Sequence, residues 1–166
     1  MGRRVMVPQG TRGRGGALVW HLWAVMACVG LTVFWGAYTA GLDAGLIYND
    51  SFPMMGGRWM PEEMRAPVDL LESHAGVQFM HRWLALFTVA MVIGFWTHTR
   101  RRGIRFVEID LLAVMAVAQM GLGIITLLSG INLWLAAAHQ AGALVVWGLC
   151  VLCLWRVRYT VGAASD

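Results

Sequence analysis

Charge is scarce in this chain. Only 13% of its 166 residues are charged, against 58% that are hydrophobic, and the mean hydropathy is +0.62. A soluble domain carries about 25% charged residues, so an ordinary water-soluble fold is excluded. Cysteine is scarce too. Cys28, Cys150 and Cys153 all fall inside apolar runs, and none stands in a hydrophilic loop where a disulfide could form. Cys150 and Cys153 share one helical face and read as small apolar packing residues, with a metal or redox pair as the alternative. No small-residue cleavage site follows the first apolar run, so the basic start is not expected to be a cleavable signal. Position 6 is Met6, where N-myristoylation requires Ser or Thr.

What the chain does have is apolar length. A helix needs about 20 mostly apolar residues to cross a bilayer. Four stretches reach that length: Ala17 to Ala40, Val77 to His98, Ile109 to Leu128 and Leu133 to Trp155. The chain is therefore predicted to be an all-α membrane protein, a four-helix transmembrane bundle. The bundle occupies residues 17–158, with a basic tail at 1–16, a long loop at 41–76 and a short tail at 159–166. No length remains for a soluble domain.

The net charge is +4 and the pI about 9.5, but the basic residues sit at the edges of the spans. Arg3, Arg4, Arg12 and Arg14 precede the first. Arg100, Arg101, Arg102 and Arg105 separate the second and third, and Arg156 and Arg158 close the fourth. The 41–76 loop is instead acidic, with Asp43, Asp50, Glu62, Glu63, Asp69 and Glu72 against Arg58 and Arg65. The positive-inside rule then predicts both termini in the cytoplasm, with the long loop and the Ser129–Asn132 turn outside. No basic cluster leaves the membrane edge, which excludes a nucleic-acid partner.

The long loop is rich in Gly, Trp, Tyr, Met and Pro. It is predicted to be ordered and to lie on the membrane surface, where aromatic side chains settle. "NDSFP" and "MMGG" mark turns, and Pro67 to His74 a short helix. The first and third spans end alike, in glycine and small polar residues. That echo suggests two related helix pairs. Gly36, Gly41, Gly121, Gly123 and Gly142 would let helices approach closely, with a site in the bundle core.

Ionisable residues inside a span are functional candidates by default. His21 and His98 fall at the inner span ends and read as interfacial, while His74 precedes the second span as a pocket candidate. His81 and His139 differ. Counted from the outer ends of their spans they lie roughly 6 Å and 9 Å deep, on two parallel helices. Two opposed neutral imidazoles can be axial ligands to a haem iron. Arg82 suits a haem propionate or a lipid phosphate, and Gln78 and Gln140 add neutral polar contacts. The "LAAAHQAGA" setting of His139 leaves room for a flat macrocycle. Interhelical hydrogen bonds are the plainer reading of each histidine alone. Zinc or copper would want further ligands, and no Cys, Asp or Glu stands at this depth.

The segments "AGLDAGLIYND", "GRWMP", "VQFMHRW" and "LAAAHQAGAL", in this order, resemble the haem A synthases, membrane enzymes that convert haem O to haem A for cytochrome oxidase. The resemblance runs from about Thr32 to Cys153. It implies an oxidoreductase of the bacterial inner membrane, acting on the C8 methyl of haem O to make a formyl group. Family members usually have eight helices in two halves, and this chain resembles the C-terminal half. The resemblance implies haem b held by His81 and His139, with haem O as substrate. It also implies either self-association or a separate front-half partner, and an association with haem O synthase and cytochrome oxidase assembly factors. The family's front half carries a glutamate three residues before its first histidine, where this chain has Gln78. A non-catalytic bis-His membrane cytochrome, carrying electrons or haem, is the alternative.

Overall fold

The computed structural model describes residues 15–162. Four long helices, α1 (Gly15–Gly41), α3 (His74–Arg101), α4 (Val107–Leu128) and α5 (Leu133–Gly162), are each long and apolar enough to cross a membrane. A short α2 (Asp69–Glu72) and a 3-10 turn (Ala44–Leu46) lie in the long loop. Among the described residues there is no strand, only an isolated Met55–Arg58 bridge. The chain is thus an all-α integral membrane protein. Residues 1–14, with Arg3, Arg4, Arg12 and Arg14, and residues 163–166 lie outside the described residues.

The helix ends have local causes. Ser73 caps α3, its Oγ accepting from the Gly76 N–H at 2.9 Å, which satisfies one orphan donor of the first turn. The helix therefore starts at His74, three residues ahead of the apolar run. The short loop helix ends sooner than expected, at Glu72. Glu108 and Asp110 occupy the first turn of α4, where negative charge complements the helix dipole. In the turn before α5, Gly130 and Ile131 take left-handed φ values of 67° and 60°. Asn132 Oδ1 then accepts from the Trp134 N–H at 3.1 Å. The final helix runs on through Tyr159 to Gly162, so the expected tail at 159–166 begins as helix.

Helix α1 packs against α3 and α5, and α4 packs against the same two. The four form a ring in which α3 faces α5 across one diagonal and α1 faces α4 across the other.

The two ends of this ring are built differently. At the arginine-rich end, Leu22 and Val25 of α1, Phe95 of α3, Leu112 of α4 and Cys150, Cys153 and Val157 of α5 form one buried hydrophobic cluster. At the loop end that cluster stops. Across 30–43, 78–91, 117–126 and 133–145 no hydrophobic residue is buried; the buried side chains there are Thr39, Gln78, Arg82, Thr88 and Thr126. Protein interiors are normally close-packed. In the loop half the buried hydrophobic side chains on the long helices are few, Ala75 and Val77 of α3 and Leu127 of α4, and they stand at its outer rim.

Candidate functional site

His81 and His139 enter that half from α3 and α5. The early start of α3 puts His81 seven residues from its helix start and His139 six from its own, about 10 Å and 9 Å along the axis. Their depths match more closely than the apolar runs suggested. The helices that carry them are diagonal neighbours.

Each ring is seated in the same way. His81 lies against Gly36 of α1, where an added Cβ would fall 2.9 Å from Cε1. His139 lies against Gly123 of α4, where an added Cβ would fall 2.7 Å from Cε1. The backbone of Thr32 is a polar neighbour of the His81 ring, and that of Gln119 of the His139 ring. Each is four residues before the corresponding glycine. The expected relation between the two helix pairs is therefore present at the site itself.

Among the described residues, Trp35 Nε1, His81 Nδ1, Arg82 Nε and His139 Nδ1 are buried with no hydrogen-bond partner. These four belong to the loop half, while Glu108 Oε2 is a buried acceptor without a partner at the arginine-rich end. A buried polar group left unpaired costs about 1–3 kcal/mol, so such groups mark places where an ion, a water or a ligand belongs.

The loop closes over this end, and Arg82 is its main fastening. Its Nη1 donates to the carbonyls of Ser51 and Met54, each at 2.8 Å, and its Nη2 donates to the Tyr48 carbonyl and to Gln78 Oε1. Gln78 Nε2 donates in turn to the Ile47 carbonyl at 2.6 Å. Gly56 and Gly57, at φ 58° and 76°, turn the chain so that Met55 and Arg58 exchange backbone hydrogen bonds. Two positive φ values in succession define a primed turn that favours glycine. Tyr48 Oη donates to Glu63 at 2.7 Å, and Glu63 pushes the phenol above its ordinary 10.0. Asp69 accepts from the Ala66 and Arg65 N–H groups, which hold its carboxyl below the usual 3.8. Tyr38 Oη ties α1 to the Leu71 carbonyl at 2.6 Å.

The structure thus brings His81 and His139 together and sets Gln78 and Arg82 one turn apart toward the loop. Gln140 does not join them; it is exposed on α5. His74 is exposed as the first residue of α3. His21 and His98 meet at the opposite end, their Nδ1 atoms 3.1 Å apart. Sequence spacing could not show that pairing, because the residues come from separate helices. It also missed Gln119, whose Nε2 donates to the His139 carbonyl, and the Thr32–Thr88 hydroxyl bridge of 2.7 Å between α1 and α3. Among the described residues no Asp or Glu lies on the long helices in the loop half. Nor does any group of three or more His, Cys, Asp or Glu form a metal cluster there.

Four apolar spans define a helical membrane protein, in which two buried imidazoles on diagonal helices mark a candidate site. Residues 4–151 match the COX15-CtaA family, described as cytochrome oxidase assembly protein. The chain is 47% identical over 159 residues to "Heme A synthase" of Rhodospirillum centenum, covering 91% of this chain and 41% of that protein. It is 40% identical over 139 residues to "Heme A synthase" of Parvibaculum lavamentivorans (81% and 39%) and 42% identical over 124 residues to human "Heme A synthase COX15" (70% and 30%). The chain belongs to this haem A synthase family. It spans about two fifths of the length of the two bacterial relatives. No solved structure matches it.

Proposed function

We propose that this chain is a haem-binding half of a haem A synthase, holding haem b between His81 and His139. The observation that carries the reading is their placement: two histidines at matched depth on diagonal helices, each with a buried Nδ1 lacking a hydrogen bond, in the half of the bundle beyond the main buried hydrophobic cluster. The donor set fits a haem. Imidazole is a ligand for its iron, and the apolar macrocycle suits the interior of a helical bundle beyond its main hydrophobic cluster.

In that role His81 and His139 hold the iron. Arg82 fastens the loop with its two terminal nitrogens, which leaves Nε as the donor for a propionate. Gln78 braces Arg82. Gln140, exposed on α5, has no contact in the site, so its expected polar contact is not part of this reading. The bound haem would supply one-electron redox chemistry, while the protein orients it and keeps water from it. The complete activity would be oxidation of the haem O C8 methyl to a formyl group, in haem A biosynthesis for cytochrome c oxidase. It would need a second four-helix half, supplied by self-association or by a separate front-half partner. Haem O synthase and cytochrome oxidase assembly factors would be its neighbours. The site would sit in a bacterial inner membrane, with the loop outside and both termini cytoplasmic.

The test is a reduced-minus-oxidised pyridine haemochrome spectrum of the purified chain from cells that also make haem O. Haem b together with haem A supports a half that is active as an oligomer. Haem b alone supports a cofactor half that needs its partner. Absence of haem rejects the reading. A second reading, a bis-His membrane cytochrome, is favoured by Gln78, which stands where the family's front half has its glutamate and is engaged by the loop. Haem O turnover on adding a front half would reject that alternative.

A further inference from the structure

We infer that Gly36 and Gly123, each with the backbone four residues before it, are paired positioning elements that set the ring orientation of His81 and His139. The inference rests on the proposed haem ligation and names residues of this chain that govern it.

The two seats are built alike from different sequence. On α1, Thr32 and Gly36 meet His81 of α3; on α4, Gln119 and Gly123 meet His139 of α5. The same four-residue spacing puts a backbone carbonyl and a bare Cα on one helical face, one turn apart. A ring entering there is confined on two sides. The glycine sets how close its Cε1 edge approaches the helix. The carbonyl offers an acceptor for the N–H of an imidazole whose other nitrogen binds a metal, the usual outer partner of a ligating histidine. Neither α1 nor α4 supplies a ligand, yet each touches one.

The steric case is quantitative. Added Cβ atoms would fall 2.9 Å and 2.7 Å from Cε1 of the two rings. Cε1 belongs to a rigid planar ring, not to the flexible end of a long side chain. With its nitrogen fixed by a metal, the ring could only tilt or rotate about that bond. Close helix packing alone is a weaker account, because Gly121 on the same α4 has nothing within 4 Å of its added Cβ. On α4 the close approach belongs to Gly123, which meets His139, and not to Gly121; across the same interface Gly142 of α5 meets the side chain of Gln119.

The measurement is continuous-wave EPR of the ferric haem protein, with haem stoichiometry and midpoint potential, for Gly36→Ala, Gly123→Ala and Gly121→Ala of the full chain. The orientation of axial ligands and their outer hydrogen bonds tune such a centre. Gly36→Ala and Gly123→Ala are expected to shift the low-spin g values and the potential, while Gly121→Ala superimposes on the parent. If an alanine variant loses haem while its apo chain keeps the parent's helix content and melting temperature, the inference also stands. It is overturned if Gly36→Ala and Gly123→Ala both match the parent spectrum. It is equally overturned if their apo chains lose helix content, since the glycines would then be packing helices. A parent chain with no haem defeats the underlying haem reading instead, and is seen before any variant is made.

Discussion

Arg82 lies inside α3, and its Nη1 donates to the carbonyl of Ser51, 31 residues earlier, at 2.8 Å. A buried cation is thus satisfied by backbone oxygens of the loop. The Met54 and Tyr48 carbonyls complete the arrangement. Hydrogen bonds to a charged group contribute about 1.5–3 kcal/mol each. Arg82→Ala is therefore expected to destabilise the chain by about 3 kcal/mol or more. Limited proteolysis should show new cleavage within 47–64, and haem content should fall less than in the histidine variants. Arg82→Lys should rescue poorly, since an ammonium does not reproduce the guanidinium fork. An unchanged cleavage pattern in Arg82→Ala would refute the fastening role.

His81→Ala and His139→Ala are each expected to remove most haem and the bis-imidazole spectrum. Neither should alter helix content much, because both side chains lie outside the buried hydrophobic cluster. Full haem retention with the parent spectrum in both variants would exclude the axial pair.

The loop should respond to pH at two ends. Tyr48 is held above 10.0 by the hydrogen bond it donates to Glu63. A raised folded value means that this support is complete below pH about 10 and fades as pH rises through the folded value. Asp69 is held below 3.8 by the Ala66 and Arg65 N–H groups. Its support is complete above the ordinary carboxylate range and fades as pH falls through the lowered value. Both groups are exposed, so the effects are small. Tyr48→Phe should abolish the alkaline increase in loop proteolysis, and Asp69→Asn the acid one. Persistence of either response in its own variant would contradict this assignment.

Asp110 joins α3 to α4 at the arginine-rich end, accepting from Trp96 Nε1 at 2.7 Å and from Arg100. The pair is partly exposed, so its charge counts for less than in a dry interior. Asp110→Ala is expected to lower stability by about 1–2 kcal/mol, with haem content unaffected. A change in haem spectrum there would mean that the two ends are coupled.

Much of the site was legible before the fold. His81 and His139 stood out because ionisable groups inside apolar runs are rare. The turns at "MMGG" and Ser129–Asn132 were legible because glycine tolerates left-handed backbone, though the residue that follows Gly130 into that region is Ile131 and not Asn132. The role of Arg82 was not. A guanidinium next to a ligand histidine suggests a propionate, and only the folded loop shows most of its donors engaged by carbonyls. Gln140 looked equivalent to Gln78, yet helical rotation turns it outward. The Gly36 and Gly123 seats were equally hidden, since each lies on a different helix from its histidine.

By itself the sequence determined the four spans, the order of the elements and the place of the two histidines inside spans, because these follow from hydropathy and length along one continuous segment. Only the tertiary structure decided which helices stand diagonally, which glycine meets which ring and where the buried hydrophobic cluster ends. Those are relations between segments, set by packing around the ring of helices, and no spacing within a single helix encodes them.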